Sequence, residues 1–135
     1  MTIGTDDTIA IQSLYAAYNH AVDVLGDAAG VAACFVENGV YDHGRLGRYE
    51  GRSAIEEFMQ RPIDEQEGQF QHWNDNLLIE GTAPHATATA YVMTVDCRSE
   101  QPVLARASLY RDELVKTADG WRFVQRRVGY PATSR

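Results

Sequence analysis

The chain has 135 residues, 44% of them hydrophobic and 23% charged, with a formal net charge of −7. That length suits one compact domain over residues 1–135, burying about two-thirds of its unfolded surface around a single core, and the composition excludes a disordered, collagenous or membrane-spanning chain. The negative charge repels phosphate backbones and anionic lipid, so neither nucleic acid nor a membrane is expected as a partner; the opening Met1-Thr-Ile-Gly lacks the regions of a signal peptide, and a cytoplasmic protein is expected.

In chain order, the first element is a helix from Asp7 to Leu25. Ile11, Leu14, Tyr15, Tyr18, Val22 and Leu25 recur at three- and four-residue steps as one apolar stripe, and Gly26 stops it. Asp27 reads as the N-cap of a short second helix carrying Val31, Ala32, Cys34 and Phe35, ended by a turn at Asn38-Gly39. Val40 to His43 and Arg48 to Glu50 flank a Gly-Arg-Leu-Gly loop and read as a hairpin. A third helix follows, with Ser53 and Glu56 as an S-x-x-E capping box, Ile55, Phe58 and Met59 as its apolar face, and Pro62 as its end.

From Phe70 the pattern changes from helical to strand periodicity, with runs at Phe70 to Glu80, Ala86 to Cys97, Val103 to Lys116 and Trp121 to Tyr130. Turn residues separate them, at Gly81-Thr-Ala-Pro84, Arg98 to Pro102 and Ala118-Asp119-Gly120. Four antiparallel strands in a meander, after helices, make an α+β layer in which a curved sheet wraps the helices. Large side chains occupy both faces of the late strands: Leu104 and Tyr110 on one, Val103 and Leu109 on the other. A second layer over the outer face is therefore expected, and with it a homo-oligomer.

Alternation sets Arg126 between Val124 and Val128 on one face. A guanidinium among apolar neighbours must be paired or face a lined cavity, because an unpaired buried charge costs several kcal/mol; Asp112 and Glu113 are possible partners, and Arg127 is the alternative functional residue. His72 shares its face with Phe70, Asn74, Asn76 and Leu78, a mixed row that suits a wet surface or the floor of a polar pocket. Asp23 lies off the apolar stripe, so periodicity alone turns it to solvent, although an unwound last turn before Gly26 would re-aim it. Tyr18 sits on the stripe, as core tyrosines do. His20, His43 and His85 have no metal spacing, Cys34 and Cys97 read as free thiols, and Gly39, Gly44, Gly47 and Gly51 form no dinucleotide fingerprint. The Asp42-His43 pair either borders the pocket mouth or is solvated. No metal or cofactor is expected.

The order of elements, with Ile11-Gln-Ser-Leu-Tyr15, Tyr18 and Asp23 five residues later, Tyr49-Glu-Gly-Arg-Ser-Ala-Ile55, His72 in Gln-His-Trp-Asn, and Tyr110-Arg-Asp-Glu-Leu through Asp119-Gly-Trp-Arg-Phe123, resembles the SnoaL-like branch of the nuclear transport factor 2-like superfamily. The resemblance implies a cone-shaped α+β barrel, with three N-terminal helices in the concave face of a curved, mixed, mainly antiparallel sheet. It is nearest to the members with a His-Asp pair, such as scytalone dehydratase, the bile-acid dehydratase of gut bacteria and hexachlorocyclohexane dehydrochlorinase. That implies His72 as base, Asp23 as the carboxylate orienting it, and Tyr18 and Arg126 holding developing negative charge. Phe70, Asn74, Tyr110, Val124 and Val128 are the expected lining. The implied activity is a cofactor-independent dehydratase or isomerase acting on a small hydrophobic or polycyclic, hydroxylated or carbonyl-bearing ring compound, in a dimer or trimer. A binding protein, or a small subunit like that of ring-hydroxylating dioxygenases, are the alternatives.

Overall fold

The computed structural model describes residues 2–129. Helix α1 (Thr5–His20) runs into a π-turn (Ala21–Leu25), then α2 (Ala28–Ala33), β1 (Phe35–His43), β2 (Gly47–Glu50), α3 (Arg52–Gln66), β3 (Phe70–Thr82), β4 (His85–Asp96), β5 (Val103–Thr117) and β6 (Gly120–Gly129). Tyr130, the expected end of the last strand, lies outside the described residues.

The strands form one sheet in the order β2-β1-β6-β5-β4-β3. The meander and the β1–β2 hairpin are antiparallel, and β1 runs parallel to β6. The sheet curves around the helices as expected, but β2 and β3 remain separate edges, so the barrel is not closed. The core lies between helices and sheet: Ile11, Val31, Phe35, Ile55 and Phe123 are fully buried, and Phe35 and Tyr15 each contact Phe123 at 5.5 Å between ring centroids.

Three local expectations are corrected. Phe35 and the Asn38-Gly39 pair belong to β1, because Phe35 pairs with Phe123 of β6; the register shift falls between Phe35 and Val40, so the glycine marks a bulge within a strand. Helix α3 starts after Gly51, held at φ +88°, with no side-chain cap; Ser53 and Glu56 are therefore its second and fifth residues and form no capping box. Pro62 does not end that helix, which runs on to Gln66 and stops at Glu67, in the left-handed region at φ +50°. The cost is the hydrogen bond that the missing N–H would have given the Phe58 carbonyl.

Bulges also overturn strand alternation at three places. In β3 the register shifts between Asp75 and Leu78, with Asn76 at φ +53°, so Leu77 and Ile79 pack on the core and Leu78 faces out. In β5, Thr94 pairs with Arg106 but Val95 pairs with Leu104, so Ala105 is supernumerary and Leu104 leaves the face of Tyr110. In β6, Gln125 pairs with Glu113 and Phe123 with Leu114, so Val124 bulges out while Phe123, Arg126 and Val128 stay inside.

Candidate active site

The π-turn decides the site. An α-helix advances about 100° per residue, which would carry Asp23 away from the Tyr18 stripe; the wider π-turn swings residues back toward the one five positions earlier. Gly26, at φ +59°, closes the turn, and the Asp27 N–H bonds the Ala21 carbonyl at 2.8 Å. The Asp23 side chain is consequently only 8% exposed and lies against His72 on the edge strand β3.

The carboxylate grips that residue twice. Asp23 Oδ1 lies 2.6 Å from His72 Nδ1, and Oδ2 accepts the His72 backbone N–H at 2.6 Å. Asn19 of α1 completes the grip by donating from Nδ2 to the His72 carbonyl at 3.3 Å and to Asn74 Oδ1 at 2.6 Å. Helix residues thus satisfy backbone groups that an edge strand otherwise leaves open, and ring and backbone are held together. A carboxylate on Nδ1 fixes the proton there and leaves the Nε2 lone pair free; no described residue hydrogen-bonds Nε2.

His72 lines a cavity of about 280 Å³ between helices and sheet. Val22, Phe58, Met59 and Pro62 form the helical wall, Val92, Thr94, Tyr110 and Val128 the sheet, and Tyr41 and His43 the β1 side. Burial pushes the Tyr18 and Tyr41 hydroxyls well above the usual tyrosine range and that of Tyr110 up to about 12, so all three remain protonated donors at neutral pH. A cleft of about 520 Å³ between α1 and β3 also touches His72, along with Asn19, His20 and Asn74. A groove of about 580 Å³ on the outer face, lined by Val36, Val115 and Val124, contains none of the dyad.

Arg126 is elsewhere. It is fully buried, its Nε and Nη2 bond Asp112 Oδ1 and Oδ2 at 2.9 and 2.8 Å, and Tyr15 donates to Asp112 Oδ2. Its Cζ lies 3.7, 4.1 and 4.4 Å from the ring centroids of Tyr110, Phe123 and Tyr18. Burial works against its charge, but Asp112, Tyr110 and Tyr15 offset that and hold its pKa well above the ordinary arginine value. The expectation that Arg126 meets a substrate is corrected: it is the structural partner of Asp112, under the tyrosines that face the cavity.

Of the expected lining, Tyr110 and Val128 face the cavity together with His72 and Tyr18, and Asp23 stands behind His72. The rest do not. Phe70 lies at the start of β3 beneath the Arg98 guanidinium, 5.1 Å from its ring centroid; Asn74 opens on the α1–β3 cleft and bonds the Tyr91 carbonyl at 3.1 Å; Val124 is turned outward by its bulge. His43 does border the cavity. Thr94, Arg106 and Ser108 were missed, although Ser108 and Arg106 lie two and four positions from Tyr110 on unbroken alternation, a legible signal.

A family model for the SnoaL-like domain matches residues 5–127. No functionally curated protein matches the chain in sequence. Among solved structures, the chain is similar to a nuclear transport factor 2-like protein with a cystatin-like fold from Novosphingobium aromaticivorans, at 25% identity and TM-score 0.85, covering 96% of this chain and 84% of that one. ActVI-ORFA from Streptomyces coelicolor shares the fold at 24% identity and TM-score 0.79, covering 93% and 98%. A candidate scytalone dehydratase from N. aromaticivorans shares it at 20% identity and TM-score 0.74, covering 91% and 83%. With a family model spanning almost all the described residues on a matching fold, the chain belongs to the SnoaL-like domain family of the nuclear transport factor 2-like superfamily.

Proposed function

We propose that the protein is a cofactor-independent lyase or isomerase that removes a proton beside the carbonyl of a small cyclic compound, with His72 as the base. The observation that carries this reading is the double grip of Asp23 on His72, which leaves Nε2 free beside a cavity walled by protonated tyrosines. Nε2 takes the proton, and the C–H electron pair moves into the ring as the carbonyl oxygen becomes an enolate. Tyr18 or Tyr110 donates a hydrogen bond to that oxygen, an interaction worth about 3 to 4 kcal/mol in comparable sites, while Asp23 stabilises the imidazolium. Returning the proton to another carbon completes an isomerisation. Delivering it to a departing β-hydroxyl completes a dehydration, with water as the leaving group.

At about 280 Å³ the cavity lies at the lower edge of ordinary ligand pockets, roughly 300–1,000 Å³, which favours one or two rings over a four-ring skeleton. The test needs no native substrate. In D₂O the protein should catalyse deuterium uptake at the α-carbon of a bicyclic ketone such as 1-indanone or 2-tetralone, read by NMR, and His72→Ala should abolish it. A fully active His72→Ala protein would falsify the reading.

We also infer that a second copy of the chain covers the outer sheet face. Trp73, Tyr91 and Leu104 are 56%, 58% and 57% exposed there, and Trp73 pairs directly with Met93 and Tyr91 with Leu109 across the strands. An apolar row complements itself, as a symmetric contact requires. Sedimentation velocity should show an oligomer that Tyr91→Lys dissociates; a monomeric parent chain would end the idea.

A further inference from the structure

His72, Thr94 and Arg106 are direct cross-strand neighbours on β3, β4 and β5. All three face the cavity. Adjacent strands lie about 4.8 Å apart, so the backbones of His72 and Arg106 are about 10 Å apart with Thr94 between them, a span matching a molecule of one or two rings. The base stands at one end of the row and a guanidinium at the other.

That guanidinium is uncommitted. With Arg126 sealed against Asp112, Arg106 is the one permanent cation among the lining residues, and it forms no salt bridge or hydrogen bond with another described residue. The one carboxylate in the lining, Glu65, is on α3, across the cavity from the sheet. Donors gather around Arg106: Ser108 follows it on the same strand face, and His43 lines the same cavity from β1. His43 Nδ1 accepts the backbone N–H groups of Arg45 and Leu46 at 3.1 and 3.2 Å, which puts the ring proton on Nε2 as a further donor. A guanidinium fork with hydroxyl and imidazole donors beside it, and no acceptor bound, matches a planar anion with two oxygens.

We propose that this wall binds the carboxylate of the substrate, so that the cavity takes aromatic or alicyclic carboxylic acids of one or two rings, with Arg106 pairing the acid group and the ring lying over Thr94 toward His72. The proposal deepens the reading of this cavity as the proton-abstraction site and rests on that reading for where the ligand lies. Arg106 is then the specificity-determining residue, because anchoring the acid selects which ring carbon reaches Nε2.

The test compares 2-naphthoate with its neutral isostere 2-naphthamide by isothermal titration calorimetry on the full chain at fixed salt. A charge-assisted pair should favour the naphthoate about tenfold or more. In Arg106→Gln the preference should collapse to about twofold or less, with naphthamide affinity unchanged. Arg106→Lys should retain part of it. Equal affinity in the parent chain, a preference that survives in Arg106→Gln, or no binding of either compound would each overturn the proposal. The same titration on His72→Gln should keep the naphthoate preference. If it does while deuterium exchange is also unaffected, the catalytic reading falls and the anion site stands; if exchange is lost but no anion preference exists, the reverse holds.

Discussion

Among the described residues, two carboxylate–nitrogen pairs lie inside the fold, and the two have opposite surroundings. Asp112 and Arg126 are both 0% exposed in their side chains, joined by two hydrogen bonds and stacked among Tyr15, Tyr18, Tyr110 and Phe123. Asp23 and His72 are 8% and 15% exposed, joined by a ring contact and a backbone hydrogen bond, with one imidazole nitrogen left unengaged. In the first pair, Nη1 alone has no hydrogen-bond partner, and it lies sealed among aromatic rings. In the second, the spare nitrogen borders a cavity. A polar pair closed on all sides holds structure together, whereas the same chemistry opened on one side can act on a ligand.

That contrast predicts opposite outcomes for substitutions in the two pairs. The largest effect falls on the open pair: His72→Gln should lower α-proton exchange by about 10²–10⁴-fold while changing unfolding free energy by about 1 kcal/mol or less, measured by NMR exchange and urea denaturation on the same samples. For the closed pair the loss should appear in stability. Asp112→Ala strands a buried guanidinium and should cost about 3–5 kcal/mol; replacing both partners at once, Asp112→Leu with Arg126→Met, should recover much of that. A double variant no more stable than Asp112→Ala would mean that the cation-π stack, and not the ion pair, carries the stability.

Smaller effects sharpen the boundary between the two. Asn19→Ala removes the donor to the His72 carbonyl and should cost about 1 kcal/mol of stability and a severalfold loss of exchange rate, with the pH profile of the remaining activity unchanged. His43 should give the smallest signal. Burial, then Arg106 and Arg45, lower its pKa below the ordinary value of 6.5, with Asp42 opposing. Because the folded form binds that proton more weakly than the unfolded chain, its contribution to stability is present above about pH 6.5 and is lost as pH falls toward the folded value. Urea titrations at pH 7.5 and 5.0 should therefore show a smaller acid loss in His43→Gln than in the parent chain, and an equal or larger loss would contradict that sign.

Much of the architecture could be read before any coordinates. Long period-2 runs after three-and-four-spaced helices define strands and helices through local sterics and burial, and the limits of β3 to β6 fall within two residues of the pattern at the described ends. The pairing of His72 with Asp23 was reachable through family likeness, but helical periodicity alone pointed Asp23 at solvent; the π-turn that reverses this has no signature in the run Ala-Val-Asp-Val-Leu. Every residue misplaced beyond a bulge failed for one reason. A strand's side chains alternate strictly, so one extra residue reverses everything after it. Leu78, Leu104 and Val124 were each assigned across such a point.

From composition and pattern alone came the α+β class and the meander, because those depend on interactions between residues near in sequence; the base-and-carboxylate candidate came from the family likeness. Tertiary structure alone decided that Arg126 spends its charge on Asp112, that Arg106 is the cation at the cavity wall, and that Asp23 turns inward. Each of those outcomes rests on the register between strands or the pitch of one helical turn, quantities set by packing across the core and not by the residues' own neighbours.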